Sequence, residues 1–198
     1  LVQSATGSIF VMIGVALVFM VTGETNLETI TKLTTTPSTV LLAAGALFII
    51  GFGVKAALVP LHTWLPDAHS QAPSGVSALL SGIVIEAGLI AMLRALGALT
   101  HISMSWGVIL LVFGVFNMTY GNLMALRQNQ VKRLLAFSSL SHVGYMLIGF
   151  GVAIQFQVLD GAGGGFFHLI THTMMKGLAF LAAGALLYAM YITRHQHG

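Results

Sequence analysis

Long apolar runs alternate with short polar stretches along this chain. A helix that crosses a membrane needs about 20 mostly apolar residues. Six stretches approach or exceed that length: about 5–22, a run from Ser38 to a break near Pro60, 74–98, 103–126, 131–155 and 162–191. No strand-like alternation persists, so the pattern predicts an all-α polytopic membrane protein with about six transmembrane helices. The polar segment 23–37, GETNLETITKLTTTP, is expected outside the membrane. Within it, Thr25 with Glu28 reads as a capping box for a short surface helix.

The second run is interrupted. GFGVKAALVPLHTWLPDAHSQAPSG holds Pro60, Pro66 and Pro73, three of the four prolines of the chain. Proline removes a backbone donor and clashes with the preceding turn. The helix is therefore expected to break near Lys55–Pro60 and to resume as a half-helix at about 61–69. Ser74 is available as N-cap for the next helix. Broken backbone at membrane depth is tolerated where protein or a wet cavity surrounds it. In transporters it often marks the transport path.

Composition agrees with the pattern. The chain is 57% hydrophobic and 7% charged, against about 25% charged residues in soluble domains. A net charge of +3 is too small to point to nucleic acid. The absence of cysteine excludes disulfides and thiolate metal sites. No Lys or Arg precedes Lys32, which argues against a secretory signal. The abrupt start at Leu1 and the end at RHQHG suit a piece of a longer protein. Residues 1–198 are expected to form one membrane domain within it. Arg127, Lys132 and Arg133 share one loop, and Arg194 is expected on the same side, with the end of the broken helix. The opposite loops carry Glu24, Glu28, Lys32 and Asp160, with Arg94 near that membrane edge. The positive-inside rule places the Arg127–Arg133 loop and the C-terminal end in the cytoplasm.

Against this background a few residues require an explanation. Lys55 lies deep in the second run, and Glu86 lies twelve residues into the third helix. Charges at such depths are costly and are usually functional or paired. Burial disfavours the charged form of either group, which suits both to exchange protons. Alternatively, Lys55 snorkels to an interface, and Glu86 forms a static ion pair with Lys55. His142 follows SSLS in the fifth helix, where Ser138, Ser139 and Ser141 could bond across helices or hold water. Close packing of small residues explains that run equally well.

His168, His172 and Lys176 recur at i, i+4 and i+8 and so share one helix face. They span about 12 Å along the axis. Neutral imidazole both donates and accepts, and it titrates near physiological pH. Waters between adjacent members, flanked by Thr171 and Thr173, would give this stripe the chemistry of a proton relay. HLITH lacks the glutamate of a zinc-protease helix. A haem-binding, cytochrome-type electron carrier would need a paired histidine on a facing helix, where only His142 is a candidate. Asp67 and His69, with His62, could assist proton entry at the cytoplasmic end, or simply cap helices.

The stretches VKAALVPLHTWLPDAHSQAPSGVSALLSG, QNQVKRLLAFSSLSHVGYMLIGFG and FFHLITHTMMKGLAFLAAG resemble the antiporter-like subunits of respiratory complex I, multisubunit sodium/proton antiporters and membrane-bound hydrogenases. Such subunits have about fourteen helices, with two inverted repeats that each contain a broken helix. The resemblance covers helices six to eleven of that fold. It implies that Lys55 is the lysine of the first broken helix and that His168, His172 and Lys176 belong to the central hydrophilic axis. Glu86 departs from the family, where lysine is frequent at the matching position.

The function implied is proton translocation through Lys55, Glu86, His142, His168, His172 and Lys176. His62, Asp67, His69, Ser138 and Ser141 would support entry. Sodium/proton exchange is the alternative. The resemblance implies no redox centre, cofactor or metal in this chain. The partners implied are the other subunits of an NADH:quinone oxidoreductase-like or hydrogenase complex in a prokaryotic plasma membrane.

Overall fold

The computed structural model describes residues 2–36, 38–102 and 105–196. The side chain of Arg194, counted above among the basic residues, lies outside what is described. The elements are α1 (Val2–Thr22), α2 (Leu27–Leu33), α3 (Thr39–Lys55), α4 (Trp64–Gln71), α5 (Ser74–Leu79), α6 (Ile85–Ala98), α7 (Ser105–Leu126), α8 (Val131–Phe156) and α9 (Leu159–Gln196). A π-helical turn, Leu80–Val84, joins α5 to α6. Together they form one continuous span, Ser74–Ala98. That span, α1, α7, α8 and α9 are each long and apolar enough to cross a membrane, while α3 is shorter. The described residues contain no strand.

The predicted caps differ in detail. The N-cap of α2 is Asn26 rather than Thr25, and its side chain accepts from the Glu28 N–H at 2.9 Å. Asn at this position satisfies an orphan helix donor as well as Thr does. Ser74 is the first helical residue of α5, and Pro73 precedes it as the cap. The half-helix begins at Trp64, because residues 61–63 are taken up in turns. The polar segment does not hang free. Ile30 of α2 is buried, and the Thr34 hydroxyl donates to the Ala98 carbonyl at 3.1 Å.

α8 is the hub, packed against α7, α9 and α4. The approach to α7 is close. A Cβ added to Gly144 would lie 2.6 Å from the Gly114 carbonyl oxygen, and one on Gly121 would lie 2.7 Å from the Ser141 nitrogen. Small residues allow this packing where water provides no hydrophobic drive. Leu140, Val143, Met146 and Leu147 of α8 are buried with Leu110 of α7. The polar residues of α8 thus stand among helices on several sides.

Candidate functional site

The site lies where α6, α8 and α9 meet. Glu86 enters it because of the π turn. On a regular α-helix, residues five apart are about 140° out of line. The π turn closes on i→i+5 bonds, with Ile85 N–H donating to the Leu80 carbonyl, and this brings Ser81 and Glu86 toward one side. Both are buried. Such turns are common at functional positions. Glu86 Oε1 lies 2.8 Å from Nδ1 of His172, and the two side chains are 5% and 0% exposed. The Thr173 hydroxyl reaches the second carboxylate oxygen, and also the Gly82 carbonyl at 2.9 Å and the Leu169 carbonyl at 3.1 Å. Its single hydrogen serves one acceptor at a time. Glu86 is therefore not the counter-ion of Lys55. Its partners belong to α9.

His168 and His172 share one face of α9, but each lies nearer to a histidine of another helix than to the other. His142 of α8 inserts beside the stripe. Its Nδ1 lies 3.0 Å from Nε2 of His168, and the two rings stack at 5.1 Å between centroids. The His142 ring is 5.3 Å from that of His172, whereas His168 and His172 are 6.4 Å apart. The shorter steps make a zigzag, Glu86–His172–His142–His168. Tyr145 places its ring edge-on to both His142 and His168. Each imidazole has two nitrogens, so a proton accepted at one can leave from the other. His172 Nε2 is buried without a partner among the described residues. The 3.0 Å contact is shorter than the roughly 4 Å separating two axial imidazoles that each lie about 2 Å from one metal. This geometry does not accommodate an iron between His142 and His168.

Lys176, 2% exposed, makes no hydrogen bond to the zigzag among the described residues. Its Nζ donates to the Leu135 carbonyl at 3.2 Å. The Ser139 hydroxyl reaches the same carbonyl at 2.9 Å and lies 2.7 Å from the Ser81 hydroxyl. Of the serine run, Ser139 thus makes the cross-helix bond. Ser141 is buried with its hydroxyl unpartnered among the described residues, and Ser138 is half-buried.

Lys55 is the last residue of α3 and half-buried. The helix end is a Schellman motif. Leu58 N–H donates to Gly53 C=O at 2.8 Å and Ala57 N–H to Val54 C=O at 3.3 Å, with Ala57 left-handed at φ 56°. The Trp64 indole N–H also donates to the Val54 carbonyl, at 2.7 Å. The next turn is held by Asn117 of α7, which accepts from Val59 N–H at 2.8 Å and donates to Ala57 C=O at 3.2 Å. Gly88 faces this helix end: a Cβ there would lie 3.0 Å from Lys55 Cβ. Lys55 therefore flanks α6 two residues past Glu86, with no ion pair among the described residues.

On the half-helix, His69 is fully buried and stacks on Phe180 at 4.7 Å, with neither ring nitrogen partnered among the described residues. His62 is buried edge-on against Tyr120 at 4.8 Å. Asp67 faces outward and pairs with Arg133 at 2.8 Å. Lys132 donates to the Ala72 carbonyl at 2.9 Å. These contacts dock the end of the broken helix on the Arg127–Arg133 side.

Sequence reading did not find Ser81, Tyr145 or Asn117. Asn117, a carboxamide in the apolar run VFNMTYGN, was the one visible signal.

Residues 1–197 match the family described as NADH:quinone oxidoreductase/Mrp antiporter, TM. Hydrogenase-4 component B of Escherichia coli (strain K12) is 35% identical over 93% of this chain and 29% of its own length. Two solved assemblies contain similar chains. In the Mrp complex from Dietzia sp. DQ12-45-1b the TM-score is 0.83 at 29% identity, over 93% of this chain and 34% of that one. In respiratory complex I from Thermus thermophilus it is 0.80 at 28% identity, over 93% and 39%. The chain thus spans roughly a third of each of these relatives.

Proposed function

The chain belongs to the NADH:quinone oxidoreductase/Mrp antiporter transmembrane family, and from that premise we propose that it forms the middle of a proton-translocating subunit in a multisubunit membrane complex. The observation that carries this reading is the zigzag Glu86–His172–His142–His168, buried at Glu86 and His172 and half-buried at His142 and His168. A carboxylate and three imidazoles in succession inside a membrane domain are costly to place there, and ionisable groups at such depth mark ion and proton pathways. Lys55 abuts Gly88 of α6, two residues along the chain from Glu86, and Lys176 lies one turn beyond His172 on α9. A change of charge at either lysine alters the proton affinity of its neighbours electrostatically. Protons enter from the half-helix side, past Asp67, His69 and His62, with Ser138 and Ser141 lining the approach along α8. In this reading that side is the cytoplasm of a prokaryotic cell. The remaining helices of the subunit and the neighbouring subunits supply both ends of the path.

The test uses the full-length protein in its complex, reconstituted in proteoliposomes. Lys55→Ala and His142→Phe are each expected to lower proton translocation by about tenfold or more, in line with the loss of one proton-transfer group. Wild-type rates in both variants would sink the relay. The similarity to a chain of an Mrp complex favours one further arm. Sodium efflux matched to proton uptake would identify an exchanger.

A further inference from the structure

The carboxamide of Asn117 is fully buried. It bonds the carbonyl of Ala57 and the N–H of Val59, two backbone groups with no other hydrogen-bond partner among the described residues, and its NH2 group also reaches the Leu140 carbonyl of α8 at 3.5 Å. A planar group that accepts at one atom and donates at the other closes a two-bond ring, as a neighbouring peptide unit would. Leucine can do neither, and an ionised carboxylate can only accept. Ala57 is the left-handed residue that ends α3, two positions after Lys55. Lys55 and Ala56 in turn abut Gly88 of α6.

We propose that Asn117 is a positioning residue for Lys55. Its amide holds the end of α3 so that the lysine is presented to α6 at a fixed depth. The role rests on the proton-relay reading, so the experiment separates the two. Asn117→Asp, Asn117→Leu and Lys55→Ala are placed in the full-length protein in its complex. Proton translocation in proteoliposomes is read as a ratio to wild type between about pH 6 and 8.5. A protonated Asp donates its O–H to the Ala57 carbonyl and accepts from Val59. Once ionised, it turns a negative oxygen on that carbonyl. The titratable groups on the surrounding elements are Lys55, His62, Tyr120 and His142. They are present in both proteins and largely cancel in the ratio.

Asn117→Asp is expected to match wild type at the acidic end and to fall toward Asn117→Leu as pH rises. Asn117→Leu is expected to be at least tenfold low throughout. Asn117→Leu transporting within twofold of wild type, or Asn117→Asp doing so at the alkaline end, overturns the positioning role. If Asn117→Leu does not assemble, the Asn117→Asp rate at the alkaline end decides alone. Wild-type transport by Lys55→Ala removes the relay reading and this role with it. Impaired Lys55→Ala beside wild-type transport by alkaline Asn117→Asp removes the positioning role only.

Discussion

Replacing Glu86 by leucine tests the pairing at the centre of the site. The Glu86 and His172 side chains are 5% and 0% exposed and meet at 2.8 Å. In Glu86→Leu, His172 loses its Nδ1 partner, and its Nε2 already has none among the described residues. Removing one partner of a buried hydrogen bond leaves the other unsatisfied and costs about 1–3 kcal/mol, more where a charged group is involved. Thr173 is not orphaned, because its hydroxyl retains the Gly82 and Leu169 carbonyls. His172→Leu leaves the carboxylate with only Thr173, at a similar cost. The double variant removes both polar groups and puts apolar side chains in their place, which is often close to neutral. The cycle therefore predicts a favourable coupling of at least about 2 kcal/mol, well above the roughly 0.5 kcal/mol within which independent sites add. The assay is reversible unfolding of the purified full-length protein in mixed micelles, followed by tryptophan fluorescence. Lys55→Met supplies the contrast. It should add to Glu86→Leu within about 0.5 kcal/mol, since no ion pair joins the two residues. Additive Glu86 and His172 effects, or coupling of Glu86 to Lys55 instead, would refute the arrangement.

Two further outcomes follow from packing and from exposure. Gly88→Ala places a methyl group 3.0 Å from Lys55 Cβ and 3.1 Å from the Ala56 nitrogen. Backbone cannot rotate away, so stability is expected to fall by about 1–3 kcal/mol. Gly97→Ala on the same helix meets nothing within 4 Å and serves as the control in the same unfolding assay. Arg133→Ala removes the 2.8 Å bond to Asp67, but those side chains are 39% and 74% exposed. Its effect on unfolding is expected within about 1 kcal/mol, and a larger loss would show that the half-helix is held mainly by this pair.

Hydropathy alone located five of the six expected spans and the shorter α3, because an apolar layer about 30 Å thick demands about 20 apolar residues in sequence. The break after Lys55 was equally legible, because proline acts on its own turn. Helix period placed His168, His172 and Lys176 on one stripe, since i, i+4 and i+8 are neighbours on any α-helix. The partners across helices were not legible. They depend on the rotation and depth at which two helices meet, and these are set by small contacts such as Gly114 against Gly144. A single π turn brought Glu86 round toward α9 and gave it His172 rather than Lys55. The same packing put His142 between two histidines that period alone had made adjacent. It also brought Asn117 of α7 onto the broken end of α3, 58 residues away in sequence from Val59. The chain itself determined which groups had to be buried in the membrane. Only tertiary packing decided which of them touch, because local periodicity carries no information about the angle between helices.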